Sequence, residues 1–330
     1  MISKTLKLGI VGSGAIVEKF IDASKLIDNI ELYGFYSRSI EKAVNFQNKY
    51  NFKNIYTDLD LMCKDKDLDA VYIASPNALH YEQTIKFLKN KKHVLCEKAF
   101  ASNSKEVQDM IKVANYNNVV LMEAMRLIYT PNFLQVKKNL NKIGTVRRYF
   151  GSYCQYSSRY DKYKEGTILN AFKKELSNGS LMDIGVYTLA PLINLFGKPK
   201  NTLSNSFKLS TGVDGQGSVI LDYETFDAIL IYSKISNSHL PSEIQGEKGS
   251  IIIDKINSFS NVKIIYNNGD IEDLTLPQEE NDMYYELSEF VNLITSNNIQ
   301  NTSLDNSLKV MEVMDQIRKD IYLVYTADKL

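Results

Sequence analysis

Apolar and polar positions in the first third of the chain follow two alternating periods. Short apolar runs such as Leu6 to Val11 alternate with stretches such as Gly14 to Ile27, in which apolar residues recur every three or four positions. The first pattern is typical of a buried strand and the second of an amphipathic helix. Strands that alternate with helices predict a doubly wound sheet of about six parallel strands. Further predicted strands are Ile30 to Tyr36, Ala70 to Ala74, His93 to Cys96 and Val119 to Met122, and further predicted helices are Ala78 to Leu88 and Ser104 to Asn115.

A different texture begins after Pro131. Long runs rich in β-branched and aromatic residues, such as Val146 to Tyr156 and Ala228 to Ile235, are joined by turns of Gly, Asn and Asp. This pattern predicts a large, mainly antiparallel open sheet. We therefore expect an α/β protein with a doubly wound domain over residues 1–123 and an α+β domain over residues 124–330. The helical patterns that close the chain are Asp282 to Thr295 and Ser303 to Tyr325.

Composition narrows the class of partner. The chain has 330 residues, enough for two domains, and 39 basic residues balance 39 acidic ones. A balanced charge gives no broad field that would attract nucleic acid or an anionic membrane. The first predicted strand begins within about six residues of Met1, and no apolar run approaches the ~18 residues of a membrane span. We expect a cytoplasmic protein that binds small molecules.

The cysteines and histidines are few and scattered. Three cysteines and three histidines, widely spaced, form neither a disulfide framework nor a metal-ligand motif. We expect reduced thiols and no catalytic metal.

A glycine turn follows the first predicted strand. Gly12, Ser13 and Gly14 lead into a helix that begins with Ala15 and Ile16. Backbone amides in such a turn can approach a pyrophosphate, which the helix N-terminus also stabilises, so the turn predicts a dinucleotide site of the Rossmann type. The third small position of the usual pattern is filled by the larger Val17. The alternative is a turn with a purely structural role.

The end of the second predicted strand bears on cofactor preference. It reads Tyr36-Ser37-Arg38-Ser39 and lacks the acid that would bind a 2′-hydroxyl. Arginine is scarce in this chain, and Arg38 is suited to a 2′-phosphate. We expect NADP, with Ser37 and Arg38 in its site. The alternative is a solvent-facing Arg38 and an NAD site.

The segment ASPNALHYEQTIKFLKNKKHVLCEKAF, from Ala74 to Phe100, resembles a signature of the glucose-fructose oxidoreductase / inositol dehydrogenase (Gfo/Idh/MocA) family. The resemblance implies a turn near the cofactor and a lysine that reaches nicotinamide and substrate. Ala99 replaces the family's proline after that lysine. His80 could equally be a packed histidine of the first helical turn. The residues that match are Ser75, Pro76, Asn77, His80, Glu97 and Lys98.

A second segment, Asn178 to Tyr187, resembles the family's Gly-Gly-(Gly/Ala)-x-x-Asp-x-Gly-x-His motif with tyrosine in place of histidine. The resemblance points to the branch that contains glucose-fructose oxidoreductase and dimeric dihydrodiol dehydrogenase. Asp183 and Tyr187 are four residues apart on a predicted helix that runs to Gly197, so both side chains should project from one face. The alternative is an Asp183 that only complements the helix dipole and a Tyr187 that only fills the core.

Hydride transfer to or from a CH–OH carbon needs a group that exchanges the hydroxyl proton. We expect Tyr187 to be this acid/base. A phenol ordinarily titrates near pH 10, so a cation is needed to favour its phenolate, and Lys98 is the predicted cation. Asp183 would orient substrate hydroxyls or keep Lys98 charged.

The resemblance also implies a substrate class and an assembly. We expect an NAD(P)-dependent oxidoreductase that acts on a sugar, polyol or cyclic diol and forms a homodimer or homotetramer through its second sheet. Arg126, near the domain hinge, and Arg159, in a predicted loop, are weaker substrate candidates that could equally form surface or interdomain salt bridges. Two alternatives within the family are a dinucleotide-binding regulator without turnover and an NAD-dependent glycosidase.

Overall fold

The computed structural model describes residues 5–299 and 301–329. The chain divides into two compact units, Met1–Ala124 with Glu279–Asp305, and Met125–Gln278 with Asn306–Leu330. The strands are, in chain order, β1 (Leu6–Val11), β2 (Ile30–Tyr36), β3 (Asn54–Tyr56), β4 (Ala70–Ile73), β5 (His93–Glu97), β6 (Leu121–Ala124), β7 (Val146–Cys154), β8 (Asn201–Lys208), β9 (Asp214–Asp222), β10 (Asp227–Ser233), β11 (Ser242–Gly246), β12 (Gly249–Ile253), β13 (Val262–Tyr266) and β14 (Ile271–Asp273). The helices are α1 (Ala15–Ser24), α2 (Ile40–Tyr50), α3 (Leu59–Lys64), α4 (Asn77–Lys89), α5 (Ser104–Asn117), α6 (Pro131–Asn139), α7 (Ser158–Lys164), α8 (Val186–Phe196), α9 (Met283–Thr295) and α10 (Ser303–Asp320).

The first unit is built on a parallel sheet. Within the described residues it has six strands in the order β3-β2-β1-β4-β5-β6. The order reverses beside β1, and in such sheets ligands bind outside the carboxyl ends of the strands at this point. The predicted doubly wound fold is confirmed.

The segment around α9 belongs to the first unit. Sequence patterns place all of residues 124–330 in one domain, whereas Glu279–Asp305 groups with the parallel-sheet unit. The cause is packing of α9 against α1, with an ion pair of 2.6 Å between Lys19 Nζ and an Asp282 carboxylate oxygen. The hydrophobic periodicity of a helix does not show which unit of the chain the helix packs against.

The second unit contains a larger sheet. Across the described strands the order is β14-β13-β12-β11-β7-β10-β9-β8, and neighbours are antiparallel except for the parallel pair β7 and β10. The predicted mainly antiparallel sheet is confirmed. One face is apolar, because alternate residues of β10, namely Ala228, Leu230 and Tyr232, are buried.

The helical segment of the second unit departs from the prediction. The predicted single helix through Asp183 and Tyr187 is a π-helical turn over Leu181–Gly185, followed by α8. Single-turn π insertions occur frequently at functional sites. Asp183 and Tyr187 therefore lie on successive elements.

Within the described residues, one helical segment, Lys174–Phe196, is long and apolar enough to cross a membrane by length and composition alone. In the fold, 78% of its most apolar window is buried, as in the core helix of a folded domain.

Candidate active site

The glycine turn after β1 has the local geometry of a phosphate cradle. Gly12 has φ +124°, and a Cβ there would lie 2.6 Å from the Ala74 carbonyl oxygen, so only glycine fits without a shift. Gly14 precedes α1, and a Cβ added to it would meet no atom within 4 Å. The turn thus leaves open space directly before a helix whose first turn has no side-chain cap. The residues present therefore fit a dinucleotide diphosphate.

The predicted ribose-side residues lie at the end of β2. The Ser37 hydroxyl is largely buried and accepts a 3.2 Å hydrogen bond from the backbone N–H of Ser39. Ser39 caps α2, because its side chain accepts from the N–H of Lys42. Arg38 is exposed between these two serines.

The Ser75-Pro76-Asn77 turn lies between β4 and α4, with Asn77 as the first residue of the helix. The Ser75 hydroxyl donates a 2.7 Å hydrogen bond to Oε1 of Gln83 in α4. This bond holds the Ser75 side chain against α4. The Asn77 side chain is almost completely buried.

His80 is fully buried, and its ring joins two turns. Nδ1 lies 2.9 Å from the Ala99 carbonyl oxygen and Nε2 lies 2.8 Å from the Ser75 carbonyl oxygen. Burial is the largest influence and lowers the pKa of His80, so the ring is neutral at pH 7 and can donate to only one of these acceptors. His80 connects the turn after β4 to that after β5, which matches the packed-histidine alternative.

Glu97 and Lys98 end β5 and differ in exposure. The buried carboxylate of Glu97 accepts a 2.6 Å hydrogen bond from the Tyr72 hydroxyl and a 3.2 Å hydrogen bond from the Lys98 N–H. Lys98 is partly exposed at the carboxyl end of the sheet, and the Lys98–Ala99 peptide bond is cis. Lys98 thus lies partly exposed at the strand end, and Glu97 supports that end from within the unit.

A polar cluster in the second unit begins at the carboxyl ends of β7 and β10. Because the two strands are parallel, these ends lie at the same edge of the sheet. Tyr153 is the penultimate residue of β7 and pairs with Tyr232 of β10. Lys234 directly follows β10, and both Lys234 and Tyr232 face the π-helical turn, because Lys234 pairs with Asp183 and Tyr232 lies against Gly185 of that turn.

Asp183, on the π-helical turn, faces this edge. Its carboxylate forms an ion pair with Lys234, whose side chain is 7% exposed while that of Asp183 is 27% exposed. A second carboxylate, Asp214 on β9, is fully buried and accepts a 2.6 Å hydrogen bond from the Leu181 N–H at the start of the turn. Burial raises the pKa of Asp214 to about 6, and backbone hydrogen bonds and the charge of Lys234 oppose that rise.

Tyr187 lies in the first turn of α8 between an aromatic ring and a cation. Its ring packs edge-to-face against Tyr153 with centroids 5.7 Å apart. The guanidinium carbon of Arg126 lies 5.2 Å from the centroid of the Tyr187 ring. A cation at this distance from an aromatic face is attracted to the ring and favours negative charge nearby.

Arg159 is placed differently from its prediction. It lies in the first turn of α7 rather than in a loop, and its side chain is exposed. The neighbouring tyrosines Tyr160 and Tyr163 stack on each other and pack against Phe172. This aromatic segment is therefore part of a small satellite core.

Three members of the second-unit cluster are not singled out by sequence motifs. They are Tyr153, Asp214 and Lys234. No local periodicity identifies Lys234, because Ser233 and Lys234 are both buried and Lys234 lies just beyond the end of β10. That β7 and β10 are adjacent and parallel is not encoded in either strand alone.

Comparison with known proteins agrees with the two-unit fold. Residues 6–125 match the model described as oxidoreductase family, NAD-binding Rossmann fold, and residues 133–252 match the GFO/IDH/MocA C-terminal domain. The chain is 49% identical to scyllo-inositol 2-dehydrogenase (NADP(+)) IolU of Bacillus subtilis (strain 168), over 98% of this chain and 99% of that protein. It is 31% identical to trans-1,2-dihydrobenzene-1,2-diol dehydrogenase of Xenopus laevis, over 75% of this chain and 74% of that protein.

Among solved structures, KijD10, a 3-ketoreductase from Actinomadura kijaniata in complex with NADP and TDP-benzene, superposes with a TM-score of 0.86. The identity is 20%, and the match covers 96% of this chain and 98% of that chain, so this similarity supports the fold. The chain belongs to the Gfo/Idh/MocA family of oxidoreductases.

Proposed function

We propose that the chain is an NADP-dependent dehydrogenase that oxidises a secondary hydroxyl of a cyclic polyol or sugar, and reduces the ketone in reverse. The observation that carries the proposal is the cluster in which Tyr187 lies against Arg126 and Tyr153, with Asp183 on the preceding turn. The name of the 49% identical relative supports both the cofactor and the polyol.

The first unit supplies the cofactor-binding residues of the proposal. The turn from Gly12 to Ile16 would hold the diphosphate, and Ser37 and Arg38 the adenine-side ribose phosphate. Ser75 to Asn77 and Lys98, at the ends of β4 and β5, would line the nicotinamide side, supported by His80 and Glu97. The bound nicotinamide would supply the hydride acceptor or donor.

Tyr187 is the proposed acid/base. Its hydroxyl takes the proton of the substrate hydroxyl during oxidation and returns it during reduction. Lys98 is the proposed cation that favours the phenolate and hydrogen-bonds the reacting oxygen. Arg126, within the same unit as Tyr187, adds a second positive charge against the ring. Asp183 orients substrate hydroxyls.

Substitution of Tyr187 and Lys98 tests these roles. Tyr187→Phe removes only the hydroxyl and Lys98→Met only the charge, and each should lower kcat by about 10²- to 10⁴-fold. Tyr153→Phe is a matched control because it keeps the edge-to-face contact with Tyr187, and its kcat should stay within about three-fold of wild type. NADPH titration should give similar Kd values for Tyr187→Phe and wild type. A Tyr187→Phe or Lys98→Met enzyme with near wild-type kcat would contradict the assignment.

We also propose that the parallel-sheet unit, predicted as residues 1–123, binds the dinucleotide, and that the larger-sheet unit, predicted within residues 124–330, binds substrate. We further propose that the second sheet joins copies of a cytoplasmic homodimer or homotetramer. What supports the assembly is an apolar strip on β8 and β9, where Leu203 pairs with Ile220 and both are exposed, as is Phe207. Such strips commonly mark association surfaces. Sedimentation velocity should give an oligomer that Leu203→Lys weakens, and a wild-type monomer would refute it.

A further inference from the structure

Lys234 is a buried lysine outside both family signatures. Its side chain is 7% exposed, although lysine is rarely this buried without a partner. It follows Ser233 at the carboxyl end of β10, and its ammonium pairs with Asp183 on the π-helical turn. Gly185 of that turn lies so close that a Cβ there would be 3.0 Å from Tyr232 Cγ. Lys234 therefore projects between the sheet and the segment that carries Asp183.

Two carboxylates share this lysine. Asp183 is ion-paired to its ammonium, and Asp214 lies close enough for Lys234 to lower the pKa of that carboxyl. The Asp214 carboxylate already accepts a hydrogen bond from the Leu181 N–H at the start of the π-helical turn. Asp183 keeps a partly exposed carboxylate, so it can meet a ligand while Lys234 fixes its buried side. Burying such an ion pair costs desolvation free energy, which the attraction between the charges offsets only when their geometry is good.

We propose that Lys234 is a positioning residue that sets specificity for polyhydroxylated substrates by holding the Asp183 carboxylate ionised and in one orientation. In this arrangement Asp183 accepts a hydrogen bond from a substrate hydroxyl near the reacting carbon, and Lys234 itself does not touch substrate. The inference deepens the proposed function and rests on it. It predicts that substrates without a second hydroxyl gain nothing from Lys234.

Kinetics of Lys234→Met and Lys234→Arg test the proposal. In Lys234→Met the KM for a cyclic polyol should rise about 10- to 100-fold, the range for losing a hydrogen bond to a charged group, with a smaller change in kcat. Lys234→Arg keeps the charge and should recover most of the loss. Lys200→Met is the matched control, since Lys200 forms an exposed pair with Glu224, and its KM should equal that of wild type.

A double-mutant cycle separates positioning from general destabilisation. If Lys234 acts through Asp183, Asp183→Asn combined with Lys234→Met should be no worse than the more damaging single variant. Multiplicative losses, or equal losses for polyols and for an alcohol with a single hydroxyl, would overturn the proposal. A melting temperature and NADPH affinity like those of Lys234→Arg would confirm that Lys234→Met is folded.

The effect of Lys234 on the ionisation of Asp183 can be measured by a titration that does not require enzyme turnover. With ¹³C-carboxyl-labelled aspartate in the full chain, the Asp183 titration midpoint should lie at higher pH in Lys234→Met than in wild type or Lys234→Arg. Asp214→Asn removes overlap from the nearest carboxylate. The other charged or titratable groups that face this cluster are Arg126, Tyr153, Tyr187, Tyr232 and Tyr325.

The two readouts fail in different ways. An unchanged Asp183 midpoint in Lys234→Met would overturn the role of Lys234 even in an active dehydrogenase. A wild-type enzyme that turns over no polyol would instead remove the proposed function and with it the specificity role, while the midpoint would still report whether Lys234 holds Asp183 ionised.

Discussion

Gly14→Ala is predicted to weaken cofactor binding without unfolding the protein. Gly14 has φ −83° and ψ 171°, a conformation open to alanine, and its added Cβ would meet no protein atom within 4 Å. Alanine is a poorer N-cap than glycine by up to about 1 kcal/mol, and the less flexible unfolded chain offsets about 0.4–1 kcal/mol of this. The free energy of unfolding should therefore change by less than about 1 kcal/mol, or roughly 2–4 °C in Tm.

The cofactor should respond to Gly14→Ala far more strongly. In the proposed site the open space beside Gly14 is filled by the diphosphate, and a methyl group there would displace it from the backbone amides. Losing one hydrogen bond to a charged group is worth about 1.5–3 kcal/mol, which raises the Kd for NADPH about 10- to 150-fold. Fluorescence titration with NADPH measures the Kd, and differential scanning fluorimetry without ligand measures Tm.

Gly12→Ala provides the contrasting variant. Its φ of +124° and the 2.6 Å approach of its Cβ to the Ala74 carbonyl oxygen should lower the free energy of unfolding by at least about 1–3 kcal/mol, as well as weakening NADPH binding. Gly12 is therefore required by the backbone conformation, whereas Gly14 is required only by the proposed ligand. A folded Gly14→Ala protein that binds NADPH within about two-fold of wild type would refute the placement of the diphosphate.

Three further predictions follow from the charged groups. Arg38→Ala should raise the KM for NADP⁺ about 10- to 100-fold and leave the KM for NAD⁺ nearly unchanged, as measured by initial rates, and equal effects on both would exclude a 2′-phosphate contact. The pKa of Asp214 is about 6 in the fold, above its ordinary value, so the folded state binds an extra proton between about pH 4 and 6. Stability should therefore fall by roughly 3 kcal/mol as pH rises through that range, and urea unfolding at several pH values should show this slope in wild type but not in Asp214→Asn. Arg318 is buried and paired with Asp315 and Asp328, so Arg318→Met should lower the free energy of unfolding by about 3–5 kcal/mol, and a loss under about 1 kcal/mol would contradict the pairing.

Local patterns were sufficient for the parallel sheet and its glycine turn. The alternation of strand and helix periods predicts the β1–α1 connection, because the spacing of apolar residues within each element shows which of its faces is buried. The short strand β3 has only three residues and carries too little periodicity to be predicted. The sequence does not decide the role of His80, because both ring contacts are made to backbone carbonyls, which are independent of residue type.

The second-unit site depends on pairings between distant segments. The motif predicts Asp183 and Tyr187, but Lys234 reaches Asp183 because the end of β10 packs against the π-helical turn. Neither segment specifies the other as its neighbour. Gly185 of the turn likewise lies against Tyr232, which is 47 residues away in sequence. The sequence motif therefore identifies two proposed site residues, and the residues that support them depend on tertiary structure.

The proposed function requires net hydride transfer with Tyr187 as the proton-exchanging group. The most direct measurement is absorbance of the reduced nicotinamide while wild type and Tyr187→Phe are incubated with NADP⁺ or NAD⁺ and a panel of cyclic polyols, sugars and diols, with the ketone product quantified in parallel. Wild type should form one NADPH per ketone with at least one polyol and should prefer NADP⁺, and Tyr187→Phe should lack this activity. Substrate loss without net NADPH would indicate hydrolysis, and binding of NADPH with no turnover of any compound would indicate a regulator. Either result would contradict hydride transfer by this protein.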